Sequence, residues 1–401
     1  LYKSRWASSD CLRHCRSALT EKIEDMSTPH CTAEIDLGAL AANVALIKAK
    51  VNGPEVMAVV KADGYGHGLI PSARAAVAGG ATWLATALLS EAIALREAGV
   101  RERVLTWLNT YDDRFMECVS RDIDLAVNSV ESAKAIANAA YNVDRRARVH
   151  VKIDTGLGRN GVTFDDLDDL IVELQKQSEN LQVVGVMSHF AYADEPTNPT
   201  IAKQIQVFKD SVDKLEAAGF ELEVKHLSNS AATMGLPDTY FNLVRPGVAM
   251  YGVTPGDQVG TAESLGITPV MTLKSNIALL KNVPAGTGLS YAHAYYTKDD
   301  TTVALIPAGY SDGVPRAASN KGPVLVGGEK RLVAGRVCMD QFVLDVGGLN
   351  VKLGDEVVLF GDPAKGHPSV EEWAAAADTI GYEIITRIGP RVVRDYITSP
   401  F

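Results

Sequence analysis

The stretch MAVVKADGYGHG at residues 57–68 joins an apolar run to a lysine and then to a glycine-rich turn. Such a run is typical of a short buried strand that ends where the chain turns sharply. A lysine at the end of a buried strand is costly unless it is neutralised, paired or covalently bonded. From these residues alone two interpretations of Lys61 stay open: a side chain that reaches solvent before a flexible turn, or one that carries a cofactor as a Schiff base.

The same arrangement of a short apolar run followed by a helical pattern recurs on the C-terminal side of this stretch. Eight strands that alternate with helices over residues 36–265 predict an α/β fold, an N-terminal (β/α)8 TIM-like barrel. An open doubly wound sheet is the alternative. The eight predicted strands are residues 56–62, 83–87, 103–108, 122–127, 148–154, 183–189, 224–228 and 243–245.

Three helices of this region have recognisable ends. Asp36 is a good N-cap for a helix in which Leu37, Leu40, Val44 and Ile47 recur at helical spacing. A second helix is predicted from an N-cap at Ser90 to Gly99, and a third from Pro199 to Gly219.

After residue 265 the chain consists of short β-rich runs divided by glycine and proline, which predicts a mostly β C-terminal domain over residues 266–401. It contains one clear helix, which a capping box of Ser369 and Glu372 announces. We expect residues 26–35 to form an N-terminal strand that packs on this domain and residues 1–25 to be a flexible extension. The β runs are residues 270–280, 303–307, 323–326, 331–337, 341–346 and 357–360.

Composition excludes several classes of protein. The net charge is −10, with no lysine and arginine stripe of the kind that binds nucleic acid, and no apolar run approaches the length of a membrane span. Five scattered cysteines predict a reduced, cytoplasmic chain. Cys11, His14 and Cys15 lack a second ligand pair, and no metalloprotease motif occurs, so no metal site is predicted.

Polar residues follow several predicted barrel strands, and catalytic groups of barrels lie at those strand ends. The residues that follow predicted strands in this sequence are Lys61, Arg159, His189, Ser230 and the segment 245–248. Residues 156–161 match the G-x-G-x-x-G dinucleotide motif, but they follow the fifth strand instead of opening the fold, and an arginine stands in the loop. A loop that presents Arg159 to an anion, or a plain glycine turn, explains them better.

Together these segments closely resemble the bacterial alanine racemase family, whose members depend on pyridoxal 5′-phosphate (PLP). The resemblance covers residues 33–400. The matching motifs are AVVKADGYGHG (58–68), KIDTGLGR (152–159), SHFA (188–191), NSAA (229–232), VRPGVAMYG (244–252), LSY (289–291), AGYSDG (308–313) and GRVCMD (335–340).

The resemblance implies a homodimer that interconverts L-alanine and D-alanine and supplies D-alanine for peptidoglycan synthesis. Lys61 would hold PLP and act as one acid/base, and Tyr291 of the partner subunit would be the second, on the opposite face of the substrate. His189 and Arg245 would form a hydrogen-bonded relay with that tyrosine. Racemisation needs two bases on opposite faces, since a proton leaves one face of Cα and returns to the other.

Further roles follow from the resemblance alone. Arg159 and Met339 would contact the substrate, and Lys152 matches a lysine that is often carbamylated. Arg159 would also approach the PLP phenolic oxygen. The remaining cofactor contacts would be Tyr65, His189, Ser230, Arg245, Gly247, Val248 and Tyr382. The substrate access corridor would be lined by Tyr310, Arg316, Arg336, Asp194 and Ile380.

Arg245 would lie beside the cofactor's pyridine nitrogen, where many PLP enzymes have a carboxylate, and would restrain charge delocalisation. This arginine also argues against a related barrel decarboxylase. Three alternatives stay open: a broad-specificity racemase, a serine racemase, and a non-catalytic PLP-binding protein.

Overall fold

The computed structural model describes residues 29–110 and 114–399. The predicted flexible extension over residues 1–25 and the cysteine pair at Cys11 and Cys15 lie outside the described residues.

Eight parallel strands form a nearly closed barrel, and the first seven pair with their neighbours in chain order. The first strand also pairs with the eighth. Between the seventh and eighth strands, the backbone N–H of Arg245 donates to the carbonyl of Ser228 at 2.9 Å. This closure confirms the barrel and excludes the open doubly wound sheet. The barrel strands are Glu55–Val59, Trp83–Thr86, Arg103–Thr106, Ile123–Val127, Ala147–Lys152, Leu181–Met187, Val224–His226 and Leu243–Val244.

The strands are buried because side chains on one face fill the barrel and those on the other contact the surrounding helices. All five residues of Ile123–Val127 are buried, including Asp124. The helices of the described residues are Leu37–Val51, Lys61–Tyr65, Leu69–Ala78, Leu89–Glu97, Phe115–Ser120, Val130–Asn142, Leu167–Lys176, Thr200–Ala217, Ser230–Gly235, Ala262–Leu265, Val370–Ala377 and Gly381–Thr386.

Helix caps agree with the sequence at two of three places. Asp36 accepts a hydrogen bond from the N–H of Ala39 at 2.8 Å, and Ser369 forms the expected capping box with Glu372. The prediction that Ser90 is an N-cap was wrong. The cap is Leu88, whose backbone N–H donates to the Glu91 carboxylate at 3.1 Å, so the helix has the reciprocal bond of a capping box without a capping hydroxyl.

Three predicted β boundaries were also wrong. The run at 270–280 is divided into the strands Met271–Asn276 and Leu279–Val283. The first barrel strand ends at Val59, and Lys61 begins a helical turn instead of ending the strand. The run at 331–337 continues a strand only to Leu332, because Gly335 adopts a positive φ of 91° and turns the chain away.

The C-terminal domain is mostly β, as the sequence predicts, and most of its strand pairs are antiparallel. The strand Cys31–Asp36 lies within its largest sheet, antiparallel to Met271–Asn276 and parallel to Val393–Ile397. The first residues of the described chain therefore join the two domains. The other strands are Leu279–Val283, Gly288–Leu289, Tyr295–Tyr296, Thr301–Ile306, Pro323–Val326, Glu329–Leu332, Phe342–Asp345 and Glu356–Phe360.

Within the described residues, no helix combines the length and the apolar character that crossing a membrane requires.

Candidate active site

Lys61 is followed by an unusual backbone turn. The next four residues, 62–65, all have left-handed φ values, from 52° at Tyr65 to 60° at Gly64. Each non-glycine residue in this conformation costs roughly 1–2 kcal/mol, so the surroundings must hold it. The Glu91 carboxylate accepts from the N–H of Ala62 at 2.6 Å, and Asp63 accepts from the N–H of Leu69 at 2.7 Å. The turn is thus held in place from the neighbouring helix.

This turn directs Lys61 into a cavity at the C-terminal end of the barrel. Its Nζ atom lies 6.0 Å from the centre of the Tyr65 ring and 5.9 Å from that of Trp107. Burial lowers the pKa of Lys61, the cation of Arg159 adds to the effect, and Glu91 partly opposes it. A lysine with a lowered pKa has a larger neutral fraction, the form that reacts with a carbonyl group.

The cavity has a volume of about 360 Å³, within the range of small-molecule sites. Among the described residues, four basic side chains line it and no carboxylate does, so it suits an anionic ligand. The lining residues are Val59, Lys61, Ala62, Tyr65, Trp107, Lys152, Arg159, Met187, His189, Asn229, Ser230, Arg245, Gly247, Tyr382 and Thr386.

One wall of the cavity is built of small residues and hydroxyl groups. The Ser230 hydroxyl accepts from the N–H of Gly247 at 2.8 Å, and Val248 begins the short 3-10 turn Val248–Tyr251 directly afterwards. A Cβ atom at Gly247 would lie 2.4 Å from the hydroxyl oxygen of Tyr65, so only glycine fits there. Burial and the nearby Tyr382 raise the pKa of Tyr65, which therefore stays a neutral hydrogen-bond donor.

Arg245 is almost fully buried, with 3% of its surface exposed, at the floor of the cavity. Its guanidinium donates to the carbonyls of Ser188 at 2.5 Å and His226 at 2.6 Å, and its Nη2 lies 3.5 Å from Nδ1 of His189. Burial, with Arg245 next in effect, holds the pKa of His189 well below its usual value. The His189 ring is therefore neutral near pH 7.

Lys152 ends the fifth strand beside the loop that carries Arg159. Burial and then the cations of Arg245 and Arg159 lower the pKa of Lys152 to about 8. In the loop, Asp154 accepts from the N–H groups of Gly156 at 2.9 Å and Gly158 at 3.1 Å. The glycines of this loop therefore shape a turn, in keeping with the rejection of a dinucleotide site.

Several residues that the resemblance implies lie outside this cavity in the single chain. Tyr291, with 70% of its surface exposed, and Met339, with 53%, belong to the C-terminal domain. Asp194 and Ile380 line a neighbouring cavity of about 410 Å³, and Tyr382 contacts both cavities. Tyr310, Arg316 and Arg336 lie in loops and turns of the C-terminal domain.

Sequence reasoning missed Trp107, Asn229 and Glu91. Trp107 and Asn229 follow the third and seventh barrel strands, so the rule that located the other cavity residues could have found them. Glu91 gave no signal because it belongs to a helix, and its contact with the Lys61 turn exists only in three dimensions.

A nearly closed barrel with a cavity at its C-terminal end, lined by basic side chains, defines the chain as a barrel protein whose cavity suits a small anionic ligand. Two family models match it: "Alanine racemase, N-terminal domain" over residues 35–255 and "Alanine racemase, C-terminal domain" over residues 270–396. The chain belongs to the alanine racemase family, isomerases that interconvert L-alanine and D-alanine.

Individual relatives agree. An alanine racemase of Frankia casuarinae is 50% identical over 91% of this chain and 96% of the relative. One of Streptomyces coelicolor is 50% identical over 92% of this chain and 96% of its own. A crystal structure of alanine racemase from D-cycloserine-producing Streptomyces lavendulae superposes with a TM-score of 0.92 at 48% identity, covering 93% of this chain and 98% of that one. The alanine racemase structure from Bacillus anthracis, with bound L-Ala-P, has a TM-score of 0.84 at 32% identity, and the match covers 94% of this chain and 97% of that one.

Proposed function

We propose that this chain racemises alanine with PLP bound in the barrel cavity and with Lys61 as the residue that carries the cofactor. The observation that carries the proposal is the lining of the cavity. Among the described residues it has four basic side chains and no carboxylate, and one of the four, Lys61, is half-buried with a lowered pKa. The L-Ala-P bound to the Bacillus anthracis alanine racemase is in accord with an anionic alanine derivative in such a site.

The residues present fit PLP. Its phosphate would be held by the hydroxyls of Tyr65, Ser230 and Tyr382 and by the backbone at Gly247 and Val248, where the absence of a Cβ leaves room beside the Tyr65 hydroxyl. PLP, when bound, supplies an electron sink that acidifies the Cα–H bond of an amino acid.

Arg245 would lie beside the pyridine nitrogen. Burial lowers the pKa of its guanidinium to about 9, so it remains a cation at neutral pH. It donates hydrogen bonds and accepts none, so it would restrain protonation of that nitrogen. Arg159 would bind the substrate carboxylate, and a carbamylated Lys152, which would be an anion, would orient Arg159.

Proton transfer would be divided between two residues. Lys61 would remove or return a proton on one face of the substrate, and Tyr291 of the partner subunit on the other. The exposure of Tyr291 supports this division, because a side chain outside its own cavity is accessible to a second copy of the chain. The loop is also braced: the hydroxyl of Ser290 donates to the carbonyl of Arg336 at 2.7 Å.

The proposal therefore includes a head-to-tail homodimer in which Met339 of the partner subunit contributes to the substrate pocket. Tyr310, Arg316, Arg336, Asp194 and Ile380 would line the access corridor. A cytoplasmic enzyme of this kind would supply D-alanine for peptidoglycan synthesis.

A coupled assay of D-alanine formation from L-alanine, run beside L-serine, tests the reaction. We expect activity with L-alanine and its loss in Lys61→Ala. Equal rates with L-serine would replace the proposal with a broad-specificity racemase. Cofactor absorbance without activity in the native chain would indicate a non-catalytic PLP-binding protein.

Mixing two inactive variants tests the shared site. Lys61→Ala and Tyr291→Phe are each expected to lose activity, whereas Tyr296→Phe, a matched exposed tyrosine five residues away, should keep it. In a mixed dimer, one cavity receives both native residues, so mixing should restore activity. No recovery, with mixed dimers demonstrated by mass spectrometry, would place Tyr291 outside the partner's site.

A further inference from the structure

A line of buried polar side chains crosses the interior of the barrel below the cavity. Asp124 begins it near the N-terminal end of the fourth strand, and Arg245 ends it at the cavity floor. Between them, His150 Nε2 lies 3.2 Å from Asp124, its Nδ1 lies 2.8 Å from His226 Nε2, and His226 Nδ1 lies 3.2 Å from Arg245 Nη1. We call these four residues the polar relay.

The barrel is shaped to admit this relay. His150 belongs to the fifth strand and His226 to the seventh, so the two rings must meet across the sixth. At that point the sixth strand has Gly185, where a Cβ atom would lie 2.5 Å from Nδ1 of His150. Both rings are fully buried and meet edge to face at 5.0 Å between their centres.

The two ends of the relay have fixed and opposite hydrogen-bonding character. Arg245 can only donate. Asp124 is fully buried, and its carboxylate oxygens accept from Arg148, whose Nε lies 3.2 Å away, with Arg103 Nη1 3.7 Å away. Glu223 holds the other side of the Arg148 guanidinium at 2.8 Å. This places a charged cluster at the opposite end of the barrel from the cavity.

Only one placement of protons satisfies all three contacts. Asp124 must receive the proton on His150 Nε2, which leaves Nδ1 of a neutral ring as an acceptor. His226 must then donate from Nε2 and accept at Nδ1, where Arg245 donates. An extra proton on either ring, or the other tautomer, would set two donors against each other.

We propose that Asp124 is a positioning residue for the reaction. Through His150 and His226 it fixes the direction of every hydrogen bond in the polar relay, and so it holds the Arg245 guanidinium at the cavity floor. The proposal rests on the proposed function for the role of Arg245. It adds that a carboxylate that touches neither substrate nor cofactor controls the orientation of that arginine.

Nitrogen-15 NMR of the histidine-labelled, PLP-loaded protein tests the proton placement without any substitution. Scalar coupling through the His150–His226 hydrogen bond identifies the two rings. We expect both to be neutral with the proton on Nε2 near pH 7. A proton on Nδ1 alone in either ring, or a doubly protonated ring, would overturn the proposal. This result does not depend on whether the native enzyme racemises alanine, which the coupled assay decides separately.

The Asp124→Asn variant tests whether Asp124 controls the two tautomers and, through them, the reaction. Its amide can offer a donor to His150, which reverses both tautomers and sets the His226 Nδ1–H against Arg245. We expect the NMR signature to reverse and kcat to fall about tenfold or more, since a buried donor loses its acceptor.

Arg148→Met is the matched control, because it removes the ion pair and keeps the Asp124–His150 contact. It should leave the tautomers unchanged and kcat within about twofold of the native value. If Arg148→Met lowers kcat as far as Asp124→Asn while the tautomers stay native, the charged cluster acts through structure and the proposal is wrong. If Asp124→Asn does not fold, the histidine tautomers measured in the native protein still test the proposal.

Discussion

Replacing Gly247 by alanine tests whether the wall of the cavity near Tyr65 binds the cofactor phosphate. The new Cβ atom would lie 2.4 Å from the Tyr65 hydroxyl oxygen and 3.0 Å from the carbon that bears it. Tyr65 cannot simply move aside, because it is buried and packs on Tyr251 with ring centres 4.9 Å apart. Overpacking of this kind costs roughly 1–3 kcal/mol.

That cost falls on the wall where we place the cofactor phosphate. Binding is weakened by the part of this strain that the apo protein relieves and that PLP must restore by returning the Tyr65 hydroxyl to the phosphate site. Because each 1.4 kcal/mol corresponds to a tenfold change, restoring all of it would weaken PLP binding about 5-fold to 150-fold. Spectrophotometric titration of the apo protein with PLP measures this dissociation constant directly. Thermal unfolding of the same apo protein separates weaker binding from loss of the fold.

Gly348→Ala is the matched control, since a Cβ there has no heavy atom within 4 Å. It should bind PLP as the native chain does. If Gly247→Ala binds PLP within twofold of this control, the hydroxyl of Tyr65 and the glycine do not form the phosphate site. The double variant Gly247→Ala/Tyr65→Phe should bind more tightly than Gly247→Ala if the clash, and not the lost hydroxyl, is the dominant effect.

Three other predictions concern charged and titratable groups. The pKa of Lys152 is about 8 in place of the usual 10.5, so roughly half of its amine is neutral at pH 8. Carbon-13 NMR with labelled bicarbonate should therefore show more carbamylation at pH 8 than at pH 6.5. The Lys152→Arg variant should show none at this position. Burial lowers the pKa of His67 to about 4, so as the pH falls the unfolded chain binds a proton at this histidine before the folded chain does. Chemical denaturation should show about 3 kcal/mol of folding stability lost between pH 6.5 and 4. The His67→Gln variant should lose less. Arg245→Glu would let the pyridine nitrogen keep a proton, so transamination products should increase relative to racemisation; an unchanged product ratio by chromatography would contradict the role given to this arginine.

The barrel was predictable from residue order because burial on both faces forces parallel strands to be apolar runs. The sequence also placed Lys61, His189, Ser230 and Arg245 at strand ends, and the cavity brings those four together. Strand limits were less predictable. The apolar run predicts Lys61 as the end of a strand, whereas it opens a left-handed turn held by Glu91, a contact between segments that are 29 positions apart.

What the sequence determined by itself is therefore the order of the elements, the two domains and the residue types at the mouth of the barrel, because these follow from local periodicity and from motifs. The tertiary structure alone decided which distant groups share one environment. Asp124, His150 and His226 belong to three strands and have no common motif, and they meet only because the barrel closes and Gly185 leaves room. The lowered pKa of Lys61 arises in the same way, since burial and the neighbouring cation of Arg159 exist only once the barrel has formed around it.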